Sequence, residues 1–161
     1  MMKTCILLPG KIKPRALSAA QQEYAGRLKA FGIETVEYKE EKISPRAAEQ
    51  TRETEAARIG RYLKQGDYLI VCDERGDAVK TAEMAAILRA ARNGEPPFNG
   101  RKRMVIVIGG ALGLAESIRQ KADAVWALSP LVLAGGIARL VLLEGLYRAF
   151  TILEGHPYHN E

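Results

Sequence analysis

Cysteine and histidine are scarce in this chain, with two of each in 161 residues. Cys5 and Cys72 each sit inside an apolar, strand-like run, and His156 and His159 fall at the extreme C-terminus. No Cys/His spacing suited to zinc results, so no metal is expected. The two cysteines read as buried free thiols, which suits a reducing compartment. No apolar stretch is both long and charge-free enough to span a membrane. Cys5-Ile6-Leu7-Leu8 is far too short for the apolar region of a secretory leader, so the expectation is a cytoplasmic protein. Neither a Walker motif nor the G-x-G-x-x-G fingerprint is present, which argues against a phosphate-rich cofactor.

What is present suits one soluble globular domain over residues 1–161. Apolar residues make up 47% and charged residues 27%, enough to bury a core. The net charge of +5 is a mild basic excess, compatible with a nucleic-acid partner but weak support for one.

Along the chain, strand-like and helix-like segments alternate. Thr4 to Leu8 reads as a strand closed by Pro9-Gly10. Leu17, Ala20, Tyr24, Leu28 and Phe31 recur at helical spacing, with Gly32 placed to end the helix. Ile33 to Tyr38 has the β-branched content of a strand near a sheet edge. Ser44-Pro45 reads as N-cap and first helical residue. The helix that follows has a Glu- and Arg-rich outer face that reads as solvated. Tyr68 to Cys72 is a core strand, and residues 73–77 read as a polar loop after it. Thr81 to Arg92 is helical, and residues 93–100 form a loop. Met104 to Ile108 has the continuous apolar character of a strand buried on both faces. Leu114 to Lys121 reads as helix, Ala124 to Leu128 as strand, and Ile137 to Leu153 as the last helix. This alternation predicts an α/β fold, a parallel sheet with helices on both faces. In such sheets ligands bind beyond the carboxyl ends of the strands. The loops after Cys72, Ile108 and Leu128 are therefore the candidates.

Gly109, Gly110 and Gly113 permit a sharp turn and a close approach of backbone to ligand, although a plain strand-to-helix turn fits equally well. The stretch from Leu128 to Gly136 is apolar yet contains Pro130 and a Gly pair. Such a loop lies against an apolar ligand or under a neighbouring subunit. Its backbone groups need partners, and the edge of an adenine ring would supply some. The last helix is apolar almost all round, which predicts burial on most sides and a subunit interface as well as a core. Arg139 falls on its apolar surface, so it reads as a buried cation needing an anionic or carbonyl partner. Glu144 and Arg148 have the spacing of an i,i+4 pair. The tail holds both histidines and Tyr158 within a few residues. Lys11, Lys13 and Arg15, and Arg101 to Arg103, flank turns and read as surface charge with the option of phosphate contact.

The run Val107-Ile108-Gly109-Gly110-Ala111-Leu112-Gly113-Leu114, the block Leu146-Tyr147-Arg148-Ala149, and the ending His156-Pro157-Tyr158-His159 together resemble the ribosomal RNA large subunit methyltransferase H family. Its members are 23S rRNA pseudouridine N3-methyltransferases of the SPOUT superfamily. The resemblance covers essentially the whole chain. It implies a Rossmann-like parallel sheet with a C-terminal trefoil knot, a homodimer, and S-adenosylmethionine held in the knot largely by backbone. Carried over by position, the cofactor contacts fall on Cys72, on Gly109 with Gly110 and Gly113, and on Leu128, Ser129, Pro130, Leu131, Val132 and Leu133. The implied catalytic group is Arg148, Tyr158 and His159, with His159 as proton acceptor and the other two holding the pyrimidine oxygens. Arg139 is then a candidate for the partner interface or the RNA backbone. The implied substrate is a modified uridine of 23S rRNA in the assembled ribosome.

The chain departs from the family pattern in two places. Family members usually carry Pro-His where this chain has Ala134-Gly135, and a Gln where it has Gly145. The first departure keeps open a non-catalytic, RNA- or ribosome-binding protein on the same fold. A nucleotide-binding protein of flavodoxin type has no support from the glycine spacing and leaves the tail unexplained.

Overall fold

The computed structural model describes residues 2–43 and 45–158. Five strands, β1 (Lys3–Pro9), β2 (Ile33–Tyr38), β3 (Asp67–Ala78), β4 (Arg103–Ile108) and β5 (Ala124–Ala127), form one sheet in the order β2-β1-β4-β3-β5. Every pairing is parallel. Consecutive parallel strands need crossovers. These are supplied by α1 (Arg15–Lys29), α2 (Ala48–Gly60), α3 (Thr81–Asn93) and the short α4 (Glu116–Arg119), and α5 (Gly135–Leu153) follows β5.

Alternation along the strands divides the core into two layers. Ile6, Leu8, Ile70, Met104 and Ile106 point to one face, where Leu28 of α1, Leu88 of α3 and Leu142, Leu146 and Phe150 of α5 cover them. Cys5, Leu7, Val71, Val105 and Val107 point to the other, under Ile59 of α2 and Ile118 of α4. The central strand β4 is buried along nearly its whole length, as its unbroken apolar run requires. β2 lies at one edge, as its mixed polarity predicts.

Four expectations need correction. Residues 73–77 are not simply a loop: β3 runs on to Ala78, and both Cys72 and Asp77 sit opposite Trp126 of β5. Residues 73–76 therefore leave the ladder as a bulge and rejoin it. Gly76 permits this, because a Cβ there would lie 2.6 Å from the Val125 carbonyl oxygen. The predicted helix 114–121 shrinks to Glu116–Arg119, since Leu114 and Ala115 are consumed by the turn that carries the glycines. Pro45 opens a 3-10 turn, Pro45–Ala47, rather than α2 itself, and Ser44 lies outside the described residues. The face of α2 read as solvated contains one buried carboxylate, Glu55.

Candidate active site

The carboxyl ends of β3, β4 and β5 open into a cleft of about 490 Å³. Three segments line it: Cys72 to Arg75, Ile108 to Leu114, and Leu128 to Leu133 without Pro130. Gly135 and Ala138, in the first turn of α5, complete the wall. The three loops singled out from the sequence thus meet in one place. Of the residues expected to bind cofactor, Pro130 alone does not line the cleft.

The glycine turn is tighter than a plain strand-to-helix connection. A Cβ on Gly109 would lie 2.8 Å from the Gly113 carbonyl carbon, and one on Gly110 would lie 2.7 Å from Glu55 Oε2. Gly113 has φ +77°, in the left-handed region. The Gly113 amide donates to the Gly110 carbonyl at 2.9 Å and closes the turn. Two side chains from distant segments brace it. The buried Tyr38 hydroxyl donates to the Ile108 carbonyl at 2.9 Å. Glu55 Oε1 accepts from the Glu41 amide at 2.8 Å, while burial raises the pKa of its carboxyl. Neither Tyr38 nor Glu55 carries a signal in the sequence, because each is brought to the turn by a different part of the fold.

The opposite lip is built differently. Among the described residues, the backbone amides of 129–133 have one partner in all, Ser129 Oγ, which accepts from the Leu131 amide at 2.9 Å. The rest of this stretch has polar backbone to offer a ligand. Its apolar side chains are not buried within the chain: Leu131 is 71% and Val132 85% exposed. Ile137 and Val141, four apart on one face of α5, are exposed apolar side chains as well.

Charge enters the cleft through the β3 bulge. Asp73 accepts from Arg75 Nε at 2.8 Å and Nη2 at 2.9 Å. Arg75 thereby holds the Asp73 carboxyl below its usual range, and Arg119 Nε stands 3.7 Å away. Asp73, Glu74 and Arg75 all line the cleft and were not singled out from the sequence, where only Cys72 of this segment was. Burial pushes the Cys72 thiol up to about 12, so it is a neutral wall rather than a nucleophile.

Arg148 and Tyr158 do not line the cleft. They belong to a second cluster, roughly 9–15 Å further along α5 at 1.5 Å per residue. Arg148 Nε donates to Glu144 Oε1 at 3.0 Å, which is the expected i,i+4 pair, and this bond raises the Arg148 pKa. The Arg148 guanidinium lies 5.0 Å from the centre of the Tyr158 ring. Tyr158 shares a 3.2 Å hydrogen bond with the Tyr24 hydroxyl of α1 and packs edge-on against Tyr147. Its bond to Tyr24 and its partial burial push its pKa up to about 12, so the phenol stays protonated at neutral pH. Arg148 and Tyr158 thus lie in one cluster, with Tyr158 folded back onto α5. His159, the expected proton acceptor, lies outside the described residues.

Arg139 is a buried cation, 5% exposed, as its apolar surroundings predict. Its expected role at a partner or RNA surface is corrected: the side chain is taken up inside the chain, where Nη1 donates to the Gly10 carbonyl at 2.9 Å. Among the described residues no group of three or more His, Cys, Asp or Glu gathers to hold a metal, and no helix is long and apolar enough to cross a membrane.

Residues 2–159 match a protein family described as "Predicted SPOUT methyltransferase". Curated relatives named "Ribosomal RNA large subunit methyltransferase H" match over nearly the whole chain. The protein of Syntrophotalea carbinolica is 38% identical over 160 residues, 99% of each chain. That of Geobacter metallireducens is 40% identical over the same length and coverage. Among solved structures, a probable methylase family protein from Haemophilus influenzae shares the fold at TM-score 0.52 and 14% identity, covering 99% of this chain and 70% of that one.

Proposed function

Because the chain belongs to the SPOUT methyltransferases, and among them to the ribosomal RNA large subunit methyltransferase H proteins, we propose that it uses S-adenosylmethionine to methylate N3 of a pseudouridine in 23S rRNA of the assembled ribosome. The observation that carries this reading is the convergence of the three loops on one cleft, with a glycine turn on one side and a loop whose backbone amides have one partner among the described residues on the other. A cleft of about 490 Å³ falls within the range typical of sites for cofactors of this size. The residues present fit an uncharged adenosine better than a polyphosphate, since among the described residues no lysine lines the cleft and Arg75, which does, is spent on Asp73. Gly109, Gly110, Gly113 and the 128–133 loop would hold the cofactor by backbone, with Cys72 as an apolar wall.

Bound there, S-adenosylmethionine supplies an electrophilic methyl group on a sulfonium. The chain must do the rest. The N3 of a uracil-type base carries a proton and is a poor nucleophile until that proton leaves. His159 accepts it or passes it to water. As the ring becomes anionic, Arg148 and the protonated Tyr158 donate to the pyrimidine oxygens. Alignment of nitrogen, methyl and sulfur is the third requirement.

Among the described residues of one chain, cleft and tail cluster do not meet. The reading therefore includes a homodimer in which each chain's Arg148 and tail serve the partner's cleft. The exposed apolar side chains of Leu131, Val132, Ile137 and Val141 beside the cleft support this, since they are the surface such a partner would cover. The reading also includes the trefoil knot of the family, one domain spanning the chain, and a cytoplasmic location, where assembled ribosomes are found.

The test is methyl transfer to ribosomes lacking the modification, followed by mass spectrometry of rRNA fragments. One fragment should gain a single methyl group that depends on S-adenosylmethionine. No gain, together with no cofactor binding by calorimetry, would leave the non-catalytic RNA-binding alternative in its place.

A further inference from the structure

Arg139 presents a physical problem. Burying a guanidinium without an anion is unfavourable, yet both its acceptors are neutral: the Gly10 carbonyl at 2.9 Å and Gln21 Oε1 at 3.4 Å. Among the described residues its Nε has no hydrogen-bond partner. The Glu40 and Glu37 carboxylates favour its charged form, yet neither accepts a hydrogen bond from it. The hydrogen bonds it makes, however, begin a continuous path. Gly10 turns at φ +49°, and its amide donates to the Tyr38 carbonyl at 2.8 Å. The Tyr38 hydroxyl donates in turn to the Ile108 carbonyl at 2.9 Å. The two ends of this path are the two walls of the cleft. Arg139 follows Ala138, which lines it from α5, and Ile108 lines it just before the glycine turn. None of the linking groups, Arg139, Gly10 or Tyr38, touches the cleft.

We propose that Arg139 and Tyr38 are positioning residues that act together, through the Gly10 peptide, to fix the spacing between the α5 wall and the glycine-turn wall of the cleft. The inference rests on the cofactor reading for its binding test, and it has a second test that does not. The sheet alone does not set this spacing, because α5 follows β5 at one edge while the glycine turn follows the central β4, with β3 between them. Arginine suits the role because its planar, multi-donor head reaches across from a helix to a carbonyl in a fixed geometry.

The experiment compares Tyr38→Phe, Arg139→Met, the double variant and Arg139→Lys with a control, Phe98→Leu. Phe98 is buried near the amino ends of the strands, its ring tilted against Tyr68 and away from the cleft. Calorimetry with S-adenosylmethionine should give a Kd about five- to tenfold weaker for each single variant, the loss of one hydrogen bond. The double variant should be no weaker than the weaker single, since one break already opens the path. Arg139→Lys, which keeps a donor, should recover part of the loss. Phe98→Leu should lower Tm while leaving Kd unchanged. Hydrogen exchange provides the ligand-free test: amides of 109–113 and 135–138 should exchange faster in both single variants and not in the control. Failure of the wild-type chain to bind S-adenosylmethionine would count against the cofactor reading, and the exchange data would still decide this inference. Unchanged exchange at both walls would overturn it. So would fully multiplicative Kd losses, or a Kd loss in Phe98→Leu equal to that of the path variants.

Discussion

The cleft and the tail cluster are built from different materials. The cleft is shaped by backbone: a glycine turn with no room for a Cβ at Gly109, and a loop whose amides have few partners. The cluster is all side chain: Glu144, Arg148, Tyr147, Tyr158 and Tyr24, joined by hydrogen bonds and ring contacts from two helices and the tail. A surface of backbone recognises shape and hydrogen-bonding edges, and it is indifferent to many substitutions that keep the turn. A cluster of side chains sets charge and proton positions, and single atoms matter. The proposed function assigns binding to the first surface and chemistry to the second.

Mutations should separate the two. The largest effect is expected from Arg148→Met. It should lower kcat by about two orders of magnitude, the usual loss on removing a group that stabilises developing charge. Its Kd for S-adenosylmethionine should stay within twofold of wild type. A large loss of cofactor affinity instead would merge the two regions into one site. Next, Val141→Asp places a charge among the exposed apolar side chains beside the cleft. Light scattering should show monomers, with activity down at least tenfold. A dimer of unchanged activity would remove those side chains from the interface.

A smaller effect is expected from Tyr158→Phe. Loss of one donor should lower kcat about tenfold. Because Tyr24 and partial burial hold this phenol protonated, with a pKa pushed up to about 12, it acts as a donor across the working range. The pH–rate profile between 7 and 10 should keep its shape in the variant. A break near pH 10 in the wild type that vanishes in Tyr158→Phe would mean the phenolate takes part.

The smallest effect concerns Cys72. Its thiol pKa is pushed up to about 12 by burial, from an ordinary value of 9.0. The folded state thus holds this proton more tightly than the unfolded state. The corresponding stability is present below pH 9 and is lost as pH rises toward 12. Alkylation by iodoacetamide at pH 8, followed by mass spectrometry, should be slow at Cys72 in the folded chain and fast in urea. Rapid labelling of the folded chain would contradict a neutral, desolvated wall.

Much of this was legible in the sequence, and unevenly so. The alternation of strands and helices, the unbroken apolar run of β4 and the three loops at the strand ends were readable because burial leaves a periodic trace in residue type. The burial of Arg139 followed from one cation on an apolar helix. What was not legible is tertiary in origin. Nothing local marks residues 73–76 as a bulge inside a strand; the partner strand and the contact at Gly76 decide it. Tyr38 and Glu55 reach the glycine turn only because β1, β2 and α2 bring them there. That Arg148 and Tyr158 stand apart from the cleft also depended on the length of α5 and the way the tail folds back. The position of Gly135 gives the departure from the family pattern a physical setting. A Cβ there meets nothing within 4 Å, so the position is open to a side chain.

That same room permits the most direct test of the central claim, that one chain's cleft works with the partner chain's cluster. Gly135→Trp fills the cleft of one subunit without strain on the backbone, and Arg148→Met disables the cluster of the other. Each variant alone should retain at most about one hundredth of wild-type activity on ribosomes. If cleft and cluster come from different chains, dimers formed by mixing the two variants contain one intact pair and should recover rRNA methylation to up to about half the wild-type level per mixed dimer, following the symmetry of the pairing. If mixed dimers form and stay inactive, cleft and cluster act within one chain, and the account of a shared site is wrong.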